Sequence, residues 1–316
     1  MNILVIGGSG FIGTRLVSEL LEIGHNVRIF DLQKSTNYPE KSVLGDVRSQ
    51  SDLMHECKGI DVIFNLAAEH RDDVTPISLY YDVNVEGAKN IITAATYHNV
   101  SKIVFTSTVA IYGLDKDNPD ENCPPDPFND YGKSKLLAEA LFLDWASQDE
   151  DRSLIIFRPA VVFGENNRGN VFNLISQIKS RRFIMVGSGQ NRKSMGYVGN
   201  LALILALQLN NSGVKIYNYC DKPDLTSKEI ATVISEKLGA KLPKFFVPIW
   251  AGDIAGIFFD FVAKISGRKL PVSRIRIRKF SAETTINTAR LVSDGYSGRY
   301  TTEEGLSRMI DSDFLN

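Results

Sequence analysis

Short apolar runs alternate with segments of helical periodicity through the first half of the chain. The first run, residues 2–6, leads into a glycine-rich turn, and a helically spaced pattern then continues to Ile23. Strand-like runs follow at residues 27–31, 42–44, 61–66, 102–107 and 153–158, and helical patterns at residues 84–99 and 128–147. This alternation is typical of the α/β class, in which a doubly wound parallel sheet (Rossmann fold) carries helices on both faces. We also predict that Asn84 caps the start of its helix.

The second half of the chain is less regular. Its helical patterns cover residues 171–180, 197–209 and 226–238, and one strand-like run covers residues 214–219. We predict a Rossmann domain over residues 1–160 and a smaller, mainly substrate-binding α/β part over residues 161–316. Because no linker-like composition separates the two, segments of the chain are free to cross back between them.

The glycine-rich turn has the composition of a dinucleotide-binding loop. Two spacings fit, Gly8-x-Gly10-x-x-Gly13 and Gly7-x-x-Gly10-x-x-Gly13, and both stand between a predicted strand and a predicted helix. Glycine lets the backbone approach a pyrophosphate closely, and the N–H groups at a helix start attract phosphate charge. The predicted cofactor-binding residues of this segment are Gly7, Gly10, Phe11, Ile12 and Gly13.

An acidic residue ends the second predicted strand. Asp31 follows Gly13 at close to the spacing of about 20 residues at which a carboxylate accepts hydrogen bonds from the adenosine ribose. The same carboxylate would repel the 2′-phosphate of NADP. The pattern therefore predicts NAD, rather than NADP, as the cofactor.

A Tyr-x-x-x-Lys pair lies near the start of the predicted helix over residues 128–147. Tyr131 and Lys135 therefore fall on one face of that helix. An ammonium close to a phenol favours the phenolate and lowers the pKa of the tyrosine from about 10, which makes it a general acid or base at a carbinol oxygen. Thr108, at a hydroxyl-rich strand end, is placed to hold the same oxygen. We predict Tyr131, Lys135 and Thr108 as catalytic residues, with Thr108 and Tyr131 also contacting substrate.

Composition narrows the function further. The chain has 316 residues, a formal net charge of −1 and 43% hydrophobic residues, which is ordinary for a globular protein and does not indicate nucleic-acid binding. Its three cysteines have no metal-ligand spacing, so we predict reduced thiols in a cytoplasmic protein without a metal site.

The apolar stretch 245–266 is interrupted by Asp253, Asp260 and Lys264. It is therefore predicted as an amphipathic helix rather than a transmembrane span, with association at a membrane surface as the alternative.

Taken together, these motifs resemble those of the extended short-chain dehydrogenase/reductases, the NAD-dependent epimerase/dehydratase family that acts on nucleotide sugars. The resemblance extends over essentially the whole chain. It rests on Gly7-x-x-Gly10-x-x-Gly13, Asp31, Gly45-Asp46, Asn65-Leu-Ala-Ala68, Asn84-Val-x-Gly87, Thr106-Ser-Thr108, Tyr112-Gly113, Tyr131-x-x-x-Lys135 and Arg158-Pro159.

The resemblance implies a mechanism, an assembly and further site residues. Tyr131 would be the acid/base, and Lys135 would also bind the nicotinamide ribose. Hydride transfer would take place between NAD and C4 of an NDP-hexose such as UDP-glucose or UDP-GlcNAc, with a 4-epimerase favoured. The helices over residues 84–99 and 128–147 would form a homodimer through a four-helix interface. The residues implied at the adenine and along the cofactor groove are Asp46, Val47, Leu66, Ala67, Ala68 and Asn84.

The sequence departs from the 4-epimerase pattern at two positions. Val161 stands where 4-epimerases usually carry an asparagine, and His70 stands where UDP-galactose 4-epimerase presents a lysine. Three alternatives are therefore kept open: a 4-keto-sugar-nucleotide reductase, a hydroxysteroid or dihydroflavonol-type dehydrogenase, and a non-catalytic NAD-binding protein.

Two cationic features are candidates for binding the diphosphate of a nucleotide sugar. Arg192 and Lys193 lie in a predicted Gly/Ser/Asn loop just before a helix, where a guanidinium or ammonium could meet the diphosphate. The alternating basic run over residues 274–279 could line the same site or an interface, or form a solvated face. Asn170 and Val171 complete the predicted substrate-binding residues.

Overall fold

The computed structural model of the protein describes residues 1–71, 74–114, 116–243, 246–248, 250–251, 254 and 282–315. The chain forms two compact units, each built from separate parts of the sequence. The first comprises Met1–Val162, Val198–Cys220 and Ile286–Arg299, and the second comprises Phe163–Tyr197, Asp221–Thr285 and Tyr300–Asn316. Most of the apolar stretch 245–266 and all of the basic run 274–279 lie outside the described residues.

Strands and helices alternate along the first part of the chain. In order they are β1 (Asn2–Ile6), α1 (Phe11–Glu22), β2 (Asn26–Asp31), β3 (Ser42–Leu44), α2 (Gln50–Glu56), β4 (Val62–Asn65), α3 (Ser78–Tyr81), α4 (Gly87–Tyr97), β5 (Lys102–Thr106), α5 (Asp130–Ser147) and β6 (Ser153–Pro159). A π-helical segment, Asp82–Glu86, joins α3 to α4, and a 3₁₀ turn, Val109–Tyr112, follows β5. Every strand and helix that the hydrophobic pattern predicts for this half is present.

The later part of the chain contains shorter elements. In order they are β7 (Val161–Phe163), α6 (Asn170–Lys179), β8 (Met185–Val186), β9 (Arg192–Tyr197), α7 (Val198–Leu207), β10 (Val214–Tyr219), β11 (Asp221–Thr226), α8 (Ser227–Lys237), β12 (Phe246–Val247), α9 (Ala289–Ser293) and α10 (Thr302–Ile310). Thr226 caps α8 in a capping box with Glu229.

A seven-stranded parallel sheet forms the centre of the first unit, in the order β10-β6-β5-β4-β1-β2-β3. Side chains of β1 alternate between its two faces, as strand geometry requires. Ile3 and Val5 belong to the core that contains apolar side chains of α1 and α7, whereas Leu4 and Ile6 belong to the core that contains those of α2, α4 and α5. The prediction of a doubly wound parallel sheet is confirmed.

Two late segments complete this first unit. Helix α7 packs against α1, and β10 pairs with β6 along the whole of Val214–Tyr219. The pairing gives β6 a hydrogen-bonded neighbour on both sides, and its central side chains are buried in the two cores on the faces of the sheet. The sheet is therefore assembled from segments far apart in the sequence.

The second unit is smaller and less regular. Strands β9 and β11 pair antiparallel, β8 and β12 pair parallel, and α10 packs against α8. In the part of the chain that the structure describes, no helix has both the length and the hydropathy needed to cross a membrane.

Two local predictions are wrong. Asn84 is not an N-cap, because the helix begins earlier and Asn84 lies in its π-helical segment, where the side chain is buried. Arg192 and Lys193 do not lie in a loop but open β9, where they pair with Thr226 and Leu225 of β11. In both cases contacts from distant segments outweigh the local composition.

Candidate active site

The glycine turn after β1 leaves no room for side chains at two of its positions. Gly7 has a φ of +79°, and a Cβ added there would lie 2.7 Å from the backbone nitrogen of Ala67. A Cβ at Gly13 would lie 2.3 Å from the carbonyl oxygen of Gly7. The turn therefore brings the start of α1 against β1 and the segment after β4, as a close approach of backbone to a ligand requires.

The start of α1 is suited to an anion. Gly10 is the N-cap, and in the described part of the chain no side chain caps this helix. The N–H groups of the first turn, from Phe11, Ile12 and Gly13, therefore lie at the positive end of the helix dipole without a capping carboxylate or hydroxyl. Such a terminus fits the pyrophosphate of a dinucleotide.

Asp31 lies beside this turn, at the carboxyl end of β2. Its Oδ2 accepts a hydrogen bond from the Ser9 backbone N–H at 3.0 Å, and its Oδ1 accepts one from the Gln33 N–H at 3.1 Å. The two bonds fix a partly exposed carboxylate next to the glycine turn. It retains lone pairs that can accept the ribose hydroxyls of NAD.

Asp46 and Val47 follow β3, further along the same sheet edge. The Asp46 carboxylate accepts hydrogen bonds from the Arg48 guanidinium, with Nε 2.9 Å from Oδ2, and this contact lowers the pKa of Asp46. Val47 is buried, and its carbonyl oxygen accepts a bond from the Asn90 side chain. The resemblance assigns both residues to the adenine.

Asn84 fixes the segment that follows β4. Its Oδ1 accepts the Glu69 backbone N–H at 2.9 Å, and its Nδ2 donates to the Glu69 carbonyl at 3.1 Å and to the Ser134 hydroxyl at 2.9 Å. This buried amide therefore links the residues after Leu66, Ala67 and Ala68 to helix α5. The π-helical segment that carries Asn84 is a feature often found at functional sites.

Tyr131, Lys135 and Thr108 come together in the first unit. Asn129 caps α5 by accepting the Gly132 N–H, so the helix begins just before Tyr131. Thr108 caps the 3₁₀ turn after β5, and its hydroxyl interacts with the Tyr131 phenol. Lys135 is 1% exposed, with its Nζ 4.2 Å from the centre of the Phe105 ring.

The electrostatics of this group differ from the prediction that Lys135 lowers the pKa of Tyr131. Burial raises the pKa of Tyr131 to about 12, and the Thr108 hydroxyl opposes this shift. Burial lowers the pKa of Lys135 to about 7, and Glu139 opposes that shift. The prediction is wrong because it counts the attraction between the two groups and omits the cost of removing their charged forms from water.

A buried ion pair includes Glu139, which follows Lys135 by one turn of α5. The Arg158 guanidinium binds the Glu139 carboxylate in a bidentate manner, with Nε 3.1 Å from Oε1 and Nη2 2.7 Å from Oε2. Arg158 belongs to the Arg158-Pro159 motif, but no sequence motif singles out Glu139. A signal was present, because Tyr131, Lys135 and Glu139 recur at every fourth residue and therefore share a helix face.

The predicted substrate-binding residues Asn170, Val171, Arg192 and Lys193 lie in the second unit. Asn170 is exposed at the start of α6, and Val171 is buried. Arg192 donates to the Asp224 carbonyl at 2.7 Å, and Lys193 donates to the Ala282 carbonyl at 2.6 Å. Burial lowers the pKa of Lys193 to about 8. Their role in substrate binding stays a prediction.

The chain is similar in sequence to a known protein family and in fold to a solved enzyme structure. The model of the NAD dependent epimerase/dehydratase family matches residues 3–220. The chain is 46% identical over 318 residues to N-acetyl-alpha-D-glucosaminyl-diphospho-ditrans,octacis-undecaprenol 4-epimerase of Escherichia coli O157:H7, covering 100% of this chain and 96% of that protein. It is 28% identical over 258 residues to the decarboxylating sterol-4-alpha-carboxylate 3-dehydrogenase of Homo sapiens, covering 78% and 69% of the two chains. The solved structure of the UDP-glucose 4-epimerase of Thermus thermophilus with NAD has the same fold, with a TM-score of 0.77 at 22% identity over 99% of this chain and 98% of that chain.

Proposed function

Because the chain belongs to the NAD-dependent epimerase/dehydratase family, we propose that it is an NAD-dependent enzyme that inverts C4 of a sugar carried on a diphosphate. The observation that carries the proposal is the 46% identity, over the whole chain, to a 4-epimerase of a diphosphate-linked N-acetylglucosamine. Thr108, Tyr131 and Lys135 lie together in the unit that carries the glycine turn, which supports catalysis over mere NAD binding.

NAD would be held by the glycine turn, the start of α1 and Asp31, and would supply reversible hydride transfer at C4 of the sugar. The Tyr131 phenolate takes the proton of the C4 hydroxyl. It gives the proton back to the C4 oxygen after the 4-keto sugar has rotated to present its other face. Thr108 holds that oxygen next to the phenol, and the Lys135 ammonium stabilises the phenolate. Asp31 holds the ribose hydroxyls, and the glycine turn and α1 start hold the pyrophosphate.

A second part of the proposal concerns the group to which the diphosphate attaches the sugar. The Escherichia coli relative is named for a substrate on undecaprenol, so we propose a polyprenyl diphosphate sugar as the first candidate. A nucleotide sugar such as UDP-GlcNAc, as the sequence analysis predicts, shares the sugar and the diphosphate. It is the second candidate, because the chain shares its fold with a UDP-glucose 4-epimerase.

The test compares both carriers in the same assay. The enzyme with NAD is incubated with GlcNAc-diphospho-undecaprenol and, separately, with UDP-GlcNAc, and product sugars are identified by NMR while NADH absorbance is followed. Formation of the 4-epimer without net NADH supports the proposal, and the preferred carrier is the one with the higher kcat/KM. Inertness towards both 4-hydroxy sugars, with rapid NADH consumption on a 4-keto sugar, would assign the chain as a reductase instead.

Replacing Asp31 with asparagine is expected to weaken NAD binding by about 1.5–3 kcal/mol, because charged hydrogen bonds to the ribose hydroxyls are lost. The preference for NAD over NADP should fall at the same time, since the repulsion of the 2′-phosphate disappears. Calorimetric titration with both cofactors measures this. Asp61→Asn is the matched control, since that carboxylate accepts the Asn2 backbone N–H at the amino end of the sheet. An unchanged NAD affinity in Asp31→Asn would contradict the assignment.

We propose further that the protein forms a homodimer through α4 and α5, as the family resemblance implies. Leu137, which is 48% exposed on α5, would be covered by such an interface. Light scattering is expected to give a dimer for the unmodified chain and a monomer for Leu137→Asp. A monomeric unmodified chain at micromolar concentration would refute the proposal.

A further inference from the structure

We propose that Glu139, clamped by Arg158, is a positioning residue that keeps the Lys135 ammonium charged next to Tyr131. The inference deepens the proposed function, on which it rests, because a charged Lys135 is what stabilises the Tyr131 phenolate. Glu139 itself touches neither the reacting atoms nor the cofactor in this assignment, and acts only through Lys135.

The charges are buried to an unusual degree. Lys135, Glu139 and Arg158 are 1%, 2% and 7% exposed. The ammonium faces the uncharged Phe105 ring, which supplies a cation–π contact but no counter-charge. An ammonium removed from water tends to lose its proton unless an anion lies near. Glu139 lies one helical turn after Lys135 on the same face of α5, and its carboxylate interacts electrostatically with the ammonium.

Arg158 determines where that anion can point. Its bidentate contact fixes both carboxylate oxygens of Glu139. Its Nη1 is in turn held by the Tyr112 hydroxyl at 2.9 Å and by the Glu121 carbonyl at 3.2 Å. Arg158 is thus held by the 3₁₀ turn after β5 and by the loop that contains Glu121, and it holds the Glu139 carboxylate in turn.

The net charge of the cluster also fits the reaction. With a neutral phenol the group has two cations and one anion, and ionisation of Tyr131 makes it neutral. Without Glu139 two cations would share the site, which favours loss of the lysine proton. Titratable or charged groups that also contact members of this network include Tyr80, whose ring centre is 6.4 Å from that of Tyr131, and Tyr112, Glu121 and Arg290.

The test measures the protonation of Lys135 directly, in the full chain with NAD bound. Isotope-labelled lysine gives a Cε resonance for Lys135, identified by its loss in Lys135→Arg, and this resonance is titrated by NMR. In Glu139→Gln the titration midpoint is expected to fall by about one pH unit, since the carboxylate no longer favours the ammonium. In Glu139→Asp, which keeps the charge, the midpoint should stay closer to that of the unmodified protein.

A matched control separates this role from a general effect of the buried network. The Glu121 carboxylate binds the Asn218 N–H and lies 3.7 Å from Arg290, so Glu121→Gln removes a buried charge from the network without removing the neighbour of Lys135. The Lys135 titration midpoint in Glu121→Gln should match that of the unmodified protein. Equal midpoints in Glu139→Gln and the unmodified protein would overturn the inference, as would an equal fall in Glu121→Gln.

Turnover supplies the second readout. The alkaline decline of kcat should move to lower pH in Glu139→Gln by the same amount as the NMR midpoint, whereas a purely structural role would lower activity at all pH values alike. If no sugar substrate is turned over, the proposed function fails. The NMR titration still decides whether Glu139 controls the charge of Lys135.

Discussion

Replacing Tyr131 with phenylalanine is expected to lower kcat on the diphosphate-linked sugar by a factor of about 100 to 10,000, because the general acid/base is lost. The change removes one hydroxyl and leaves the ring, so α5 and the glycine turn should keep their structure. NAD affinity, measured by calorimetry, should therefore change little. The contrast between lost turnover and retained cofactor binding distinguishes an enzyme from a non-catalytic NAD-binding protein.

Tyr97→Phe is the control for this substitution. Tyr97 is 70% exposed at the end of α4, in a different helix from Tyr131, so losing its hydroxyl should leave kcat unchanged. Turnover by Tyr131→Phe at the rate of the unmodified enzyme would reject Tyr131 as the acid/base, and the assignment would pass to another group near C4.

Replacing Arg158 with methionine is expected to reduce the free energy of unfolding by about 3–5 kcal/mol, because Glu139 is left as a buried charge without its partner. The loss is large because the Arg158 guanidinium contacts Glu139, Tyr112 and the Glu121 carbonyl inside the first unit. Urea or thermal unfolding, followed by circular dichroism with NAD present at a fixed concentration, measures the change.

Lys116→Met is the matched control for this second substitution. The Lys116 and Asp126 side chains are 36% and 77% exposed, and the Lys116 Nζ lies 3.8 Å from the Asp126 Oδ2. Because water screens such a pair, the loss should be about 1 kcal/mol or less. Equal destabilisation by the two substitutions would contradict the view that burial of the Glu139–Arg158 pair sets the cost.

Much of the candidate site could be predicted from the sequence because its residues are close together in the chain. The glycines and Asp31 belong to one strand–turn–helix–strand unit, and Tyr131 and Lys135 occupy one helix turn. Motifs of this kind carry their geometry with them, since helix and strand spacing fix which side chains share a face. The prediction of an NAD-dependent epimerase/dehydratase family member is confirmed on this basis.

Other parts of the site depend on residues far apart in the sequence. Asn84 joins Glu69 to Ser134, and Arg158 reaches back to Glu139. These contacts join residues with no fixed spacing in the sequence, so no local pattern predicts them. The direction of the pKa shift at Tyr131 was predicted wrongly for the same reason, because burial is set by every segment packed around a group.

The sequence by itself determined the element types, the parallel sheet and the main catalytic candidates. These follow from periodicities of about 2 and 3.6 residues and from turn chemistry, which act over a few neighbouring residues. The tertiary structure alone decided that α7 and β10 complete the first unit and that Arg192 and Lys193 lie in a strand. Strand pairing and burial depend on contacts between distant segments, and local sequence patterns do not indicate which segments come together.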